Sequence, residues 1–197
     1  KEINEGYSHT ENLHVFINDL LIQEKLMPSK LSAVAIGSGP GSYTGLRIGV
    51  SAAKGLAYAL NIPLIAINSL QIMAQSVIDK TSVNTLLCPM LDARRMEVYC
   101  AIFDKNLSFV KDTSAQIITE ENLDFFKTGT EICFFGDGMQ KCQSILENIP
   151  GSSFIENIYP SAKALSALSF KKFTVKQFEN VAYFEPFYLK DFMIGAK

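Results

Sequence analysis

Gly37-Ser38-Gly39-Pro40-Gly41-Ser42-Tyr43-Thr44-Gly45 lies between the apolar run of residues 32–36 and a small-residue stretch, residues 47–60, with the pattern of a helix. A strand, a glycine-rich turn and a helix N-terminus in that order aim backbone N–H groups and a partial positive charge at one point, where an anion can sit. Gly39, Gly41, Ser42, Thr44 and Gly45 are therefore the candidate anion-binding residues. The stretch lacks the groups that grip a nucleotide. A P-loop ends in Gly-Lys-Ser/Thr, because the lysine reaches the phosphates and the hydroxyl holds magnesium; here Gly45 is followed by Leu46 and Arg47. The dinucleotide fingerprint fails as well, since Ser42 stands where close helix–strand packing needs glycine. Tyr43 and Thr44 read as turn and cap residues, with Thr44 capping the helix of residues 47–60.

Outward from this loop, residues 32–36 and 63–67 read as parallel strands joined by that helix in a βαβ unit with a right-handed crossover. Gly49, Ala52, Ala53, Gly55, Ala57 and Ala59 weaken the helix intrinsically but let another backbone approach closely. Before the unit, Ser8 or Thr10 can cap a helix over residues 8–27, stopped by Pro28. Leu13, Phe16, Ile17, Leu20, Leu21 and Met27 form a wide apolar stripe on it, while Val15, Ile22 and Leu26 fall on nearly the opposite face. Such a helix is either sandwiched within its own domain or meets another protein with its second face. After the unit, a helix over residues 69–78 leads to a polar boundary at residues 79–84.

Beyond that boundary the period changes to two. Residues 86–91 and 96–103 read as a hairpin around Asp92-Ala93-Arg94-Arg95, followed by a strand over 114–119, a helix over 120–127, a strand over 132–135, Gly136-Asp137-Gly138, and a helix over 139–147. A short strand over 154–158, a helix over 161–170 capped by Ser161, and an aromatic tail over 186–192 complete the chain. The expectation is an α/β fold of two lobes with similar βαβ cores: residues 1–82, and residues 83–197 with a final helix and tail free to pack back on the first lobe. Asp92, Arg94, Arg95 and Glu97 read as a salt-bridged turn, with a ligand role as the alternative.

At 197 residues and 48% hydrophobic content the chain can bury a real core. A net charge of -2 and a pI near 5.7 argue against strong, self-sufficient nucleic-acid binding. Cys88, Cys100, Cys133 and Cys142 show neither CxxC pairing nor zinc spacing, so they read as reduced core thiols of a cytoplasmic protein. His9 and His14 are five apart and do not share a helix face, so no metal site is expected. No apolar run has the length of a membrane span, and Lys1-Glu2 opens no signal peptide. The start without methionine leads to the expectation that the chain begins partway into its fold.

Residues 34–49 (Val-Ala-Ile-Gly-Ser-Gly-Pro-Gly-Ser-Tyr-Thr-Gly-Leu-Arg-Ile-Gly), then Ala53-Lys54-Gly55-Leu56-Ala57 and Leu91-Asp92-Ala93-Arg94-Arg95-Met96-Glu97-Val98-Tyr99, closely resemble the bacterial TsaB (YeaZ) family, subunits of the machinery that makes threonylcarbamoyl-adenosine in tRNA. The resemblance extends to Tyr188-Leu189-Lys190. It implies an actin-like, sugar-kinase-type (ASKHA) fold whose opening strand hairpin would precede Lys1 and is missing from this chain. The catalytic relative TsaD carries an HxxxH metal motif where this chain has Ser69 and Met73, and a Ser-Gly-Gly-His-Thr phosphate turn where it has residues 92–96. A hydroxyl and a thioether are poor ligands for a hard or borderline cation.

The resemblance thus implies a non-catalytic scaffold with no metal and no cofactor of its own, and with ATP or ADP bound only in the complex. It would dimerise with a TsaD-like subunit through the helices of residues 8–27 and 47–60, with a TsaE-like ATPase joining and tRNA reached indirectly. Val15, Ile22, Leu26, Gly49, Ala52, Ala53 and Leu56 are the candidate partner-binding residues. The same surface could form a homodimer when the chain is alone. The alternatives are a glycoprotease-like, metal-dependent hydrolase and a nucleotide-binding regulator that uses the 39–45 loop.

Overall fold

The computed structural model describes residues 9–190, with side chains from residue 12 onward. Two sheets share one central helix. The first sheet pairs β1 (Val34–Gly39) with β2 (Leu64–Asn68) in parallel, joined by α2 (Tyr43–Leu60). Both strands begin two residues or one residue later than the apolar pattern predicts, because pairing starts where the Val34 N–H donates to the carbonyl of Pro63. β1 then runs on through Gly37–Gly39, paired with Ile67 and Asn68 across a bulge, so the glycine loop begins as strand.

Side chains alternate across this sheet, as the strand period requires. Val34, Ile36 and Leu64 face α2, where Ala53 and Ala57 fill the contact. Ala33, Ala35, Ile65 and Ile67 face α6 (Ala162–Thr174), meeting Ala164, Leu165, Leu168 and Phe173. Ser161 caps α6 as its sequence position predicts, its Oγ accepting from the Lys163 N–H at 3.1 Å.

The second sheet has the order β5-β4-β3-β6-β7. β3 (Leu86–Asp92) and β4 (Glu97–Phe103) form the expected hairpin, β5 (Phe109–Ile117) adds to it antiparallel, and β6 (Ile132–Phe135) and β7 (Ser152–Ile155) continue it in parallel. One face packs Cys88, Met90, Cys100 and Phe134 against Phe126, Met139 and Leu146. The other packs Leu87, Ala101, Phe103 and Phe135 against α3 (Ser69–Gln75), which contributes Leu70, Met73 and Ala74. Ile72 of the same helix belongs to the core under the first sheet. α3 is thus the shared partner of both sheets.

Several expected elements differ. α1 is His9–Gln23 and stops short of Pro28: Lys25 adopts a left-handed conformation at φ 53, and the Leu26 N–H reaches back to the carbonyl of Leu21, a C-terminal cap that ends the helix first. The Ser8 cap lies outside the described residues. Leu13, Phe16, Ile17 and Leu21 are half-buried, but Leu20 and Met27 of the predicted inner stripe are exposed. No helix forms over residues 120–127. Leu123 and Phe126 are drawn into the core, the chain there turns through bonds from the Asn122 N–H to the Thr119 carbonyl and from the Phe126 N–H to the Leu123 carbonyl, and Lys111 Nζ donates to the carbonyls of Asp124 and Phe125. The predicted helix over 139–147 is two short helices, α4 (Asp137–Gln140) and α5 (Gln143–Leu146). All four cysteines are unpaired and buried. Among the described residues, no helix is long and apolar enough to cross a membrane.

Candidate functional site

The glycine loop leaves β1 and enters α2 under three constraints. Gly39 is buried at φ +109, and a Cβ there would lie 2.6 Å from the carbonyl oxygen of Phe187, so only glycine fits. Its N–H donates to Ser69 Oγ at 3.2 Å. Ser42, rather than Thr44, caps α2: its Oγ accepts from the Gly45 N–H at 3.4 Å and its carbonyl accepts from the Leu46 N–H at 2.8 Å. The correction follows from helix length, because α2 starts at Tyr43 and Thr44 already lies inside its first turn. Of the candidate anion-binding residues, Gly39 and Gly45 have committed their N–H groups to hydroxyls within the protein. Gly41 has no neighbour within 4 Å on its side-chain face, and Ser42 and Thr44 are exposed at the helix start.

A segment of the tail closes over this loop. The Phe187 N–H donates to the carbonyl of Ser38 at 2.7 Å, and the Tyr188 ring lies against Tyr43 with centroids 4.9 Å apart. The Arg47 guanidinium sits over the other partner of that pair, 5.5 Å from the Tyr43 centroid. Burial raises the pKa of the Tyr188 hydroxyl, aided by Tyr43. Further back, Lys54 Nζ on α2 donates to the carbonyls of Ala182 (3.2 Å) and Phe184 (2.8 Å), and the Glu179 N–H donates to the carbonyl of Leu64. Nothing local in the sequence links Lys54 to residues so far along the chain.

Ser69 and Met73 are both interior. Ser69 is 7% exposed with its hydroxyl on Gly39, and Met73 is fully buried, its methyl against Gly136. Among the described residues no three His, Cys, Asp or Glu side chains converge as metal ligands. His14 is exposed on α1, and the side chain of His9 lies outside the described residues.

The hairpin turn is ionic, but with other partners than its own sequence predicts. Lys141 Nζ pairs with the Asp92 carboxylate and donates to the carbonyl of Glu97. Lys190 on the tail pairs with the Glu97 carboxylate. The Asp92 N–H donates to Asp137 Oδ1 at 3.1 Å, and Asp92 Oδ1 accepts from the Arg94 N–H at 2.7 Å. Partial burial opposes ionisation of Asp92; the Lys141 and Arg94 hydrogen bonds and their charges together outweigh it, and its pKa falls below the ordinary value. Arg94 and Arg95 are exposed and form no ion pair among the described residues.

The candidate partner-binding residues divide in two. Val15 (52% exposed) and Ile22 (67%) stand in solvent on the outer face of α1, and Leu26 (44%) is exposed just beyond its end. Ala52 and Leu56 are half-buried. Ala53 of α2 is buried against the first sheet, and a Cβ at Gly49 would meet the Ile36 side chain at 3.4 Å; both serve this chain's own helix–sheet contact, a use of small residues that periodicity alone does not distinguish from a docking surface.

Residues 6–191 match the family model described as TsaD: tRNA N6-adenosine threonylcarbamoyltransferase. The chain belongs to this family. Within it the chain stands in the TsaB (YeaZ) group. It is 33% identical over 116 residues to the tRNA threonylcarbamoyladenosine biosynthesis protein TsaB of Bacillus subtilis, a match covering 59% of this chain and 48% of that protein. It is 36% identical over 98 residues to the TsaB of Escherichia coli, covering 50% of this chain and 42% of that protein. These matches thus span about half or less of the curated relatives' length. YeaZ from Pseudomonas aeruginosa shares the fold with a TM-score of 0.78 at 24% identity, over 94% of this chain and 87% of that one. The architecture is accordingly the actin-like ASKHA type of the TsaD and YeaZ proteins.

Proposed function

We propose that the chain is a non-catalytic scaffold subunit in the biosynthesis of threonylcarbamoyl-adenosine in tRNA, docking on a TsaD-like catalytic subunit. The observation that carries the reading is the pair Ser69 and Met73: one hydroxyl holds the glycine loop shut, and one thioether fills the core between the sheets. Neither position offers a ligand to an ion or a base to a substrate. What the molecule does offer is surface. Val15 and Ile22 on α1, with Leu26 and Met27 just beyond its end, expose apolar side chains, and the half-buried Ala52 and Leu56 on α2 join them in the proposed interface. Large apolar side chains clustered in solvent mark an interface more often than chance exposure. A TsaE-like ATPase and tRNA join through the catalytic subunit, nucleotide enters only with the complex, and the same face supports a homodimer when the partner is absent. The working site is cytoplasmic, where tRNA is modified.

The test is titration calorimetry with the TsaD-like partner. Ile22→Asp places a charge on the outer face of α1 and should weaken association at least about tenfold, or about 1.4 kcal/mol, with the melting temperature of the isolated chain unchanged. Equal affinity for wild type and variant would remove α1 from the interface.

A further inference from the structure

The Arg94–Arg95 turn carries an imbalance. Three carboxylates surround it, and all are engaged: Asp92 by Lys141, Glu97 by Lys190, and Asp137 by the Asp92 N–H. The two guanidinia, the best carboxylate and phosphate donors in the neighbourhood, are left facing solvent. The turn holds them there at a cost. Arg94 and Arg95 sit at φ 70 and φ 50, a left-handed conformation that glycine adopts freely and other residues do not. A turn selected only for shape would carry glycine or asparagine at these positions.

The neighbourhood adds aromatic surface. Glu97, whose N–H donates to the Arg94 carbonyl, is paired with Lys190, and Tyr188 lies two residues back, about 7 Å of extended chain. Tyr188 rests on Tyr43, and Tyr43 carries Arg47 on its ring. Arg47, like Arg94 and Arg95, has no ion pair among the described residues. Unpaired guanidinia beside partly exposed tyrosines are the chemistry that binds single-stranded RNA, in which arginines meet phosphates and rings stack on splayed bases. An acidic peptide would use the arginines and leave the tyrosines idle. A free nucleotide would need the loop N–H groups of Gly39 and Gly45, which are already bonded to Ser69 and Ser42.

We propose that the Arg94–Arg95 turn, with Arg47 and the Tyr43–Tyr188 pair beside it, is a direct contact site for the phosphate backbone and an unstacked base of single-stranded RNA. It deepens the reading above, in which tRNA is reached only through the partner. The net charge of -2 keeps the isolated site weak, with affinity that falls steeply with salt.

The experiment uses the full chain and a short fluorescein-labelled single-stranded RNA, followed by anisotropy at about 50 and 200 mM salt. The wild type should bind at the lower concentration. Arg94→Gly/Arg95→Gly fits the turn backbone, so it should raise the melting temperature by about 4 °C or more, yet weaken RNA binding about tenfold and reduce the log–log salt slope by about 1.4, which is two phosphates at about 0.7 each. Tyr188→Ala should weaken binding about fivefold or more with the slope unchanged, since stacking carries no counterions. Unchanged affinity and slope in the arginine variant would overturn the proposal. So would absence of wild-type binding at the lower salt, or displacement of the RNA by an equal concentration of polyglutamate or inorganic phosphate. Partner capture is read separately: arginine-dependent RNA binding without capture overturns the scaffold reading and leaves this site standing, while capture with arginine-independent RNA binding does the reverse.

Discussion

Gly136→Ala should be among the most damaging single-methyl additions in this protein. Gly136 joins β6 to α4 at φ 109 and ψ 170, a region open essentially to glycine alone, where another residue carries about 1–3 kcal/mol of strain. A Cβ would also lie 2.2 Å from the carbonyl oxygen of Met90 and 2.6 Å from the Met73 methyl. The methyl ends a flexible side chain and can shift. The carbonyl cannot, because Met90 is in mid-strand, paired with Cys100 across the hairpin. Prising β3 and β6 apart by the missing ångström is an overpacking strain of about 1–3 kcal/mol. Together these terms remove about 2–6 kcal/mol from a total that for ordinary domains is about 5–15 kcal/mol, so the melting temperature should fall by about 5–20 °C. Urea and thermal unfolding followed by circular dichroism measure the loss. Adding Met73→Ala to Gly136→Ala discriminates between the obstacles: with the carbonyl as the barrier, trimming the methionine deepens the defect. A melting temperature unchanged by Gly136→Ala, or restored by the second substitution, would refute the steric argument.

Ser69→Ala strands the buried Gly39 N–H and should lower stability by about 1–3 kcal/mol, with faster amide exchange at Gly39 by NMR; native exchange at that amide would show the hydroxyl to be dispensable. Lys54→Met removes the donor that holds the carbonyls of Ala182 and Phe184, so limited proteolysis should cut the 180–188 segment sooner than in wild type, while an identical digestion pattern would free that segment from α2. Because the pKa of Asp92 is lowered in the fold, its contribution is present above the unfolded value near 3.9 and is lost as pH falls through the lower folded value. Lys141→Met should therefore move the Asp92 carboxyl titration upward and flatten the acid side of the stability profile, both readable by carbon-detected NMR and denaturation at a series of pH values.

What could be read from the sequence followed its strongest periodicities. The β1–α2–β2 unit and the β3–β4 hairpin stand where alternation and turn chemistry predict them, and Ser161 caps α6 as expected. Boundaries failed where a side chain or the core decided them: Ser42 displaced Thr44 as the cap, and burial of Leu123 and Phe126 drew residues 120–127 into turns instead of the predicted helix. At the candidate site, Ser69 and Met73 were identified by comparison, but their roles as loop clasp and core filler needed the fold. Ala53 and Gly49 show the main ambiguity, since small residues on a helix suit a sheet of the same chain as well as a partner's backbone. The ionic partners of the hairpin were invisible, because Lys141 and Lys190 come from the end of α4 and from the tail, far from residues 92–97 in sequence.

The first sheet gains one of its two apolar covers from α6, and its α2 side is finished by Val181 and Phe184. During translation, β1, α2 and β2 therefore emerge long before the residues that shield them. Since chains begin to fold from the N-terminal end as they are made, this half must wait, with Ile65 and Ile67 uncovered, until α6, which ends at Thr174, has left the ribosome. A nascent chain stalled before that point would offer a sticky parallel edge to chaperones or to its neighbours on the same message.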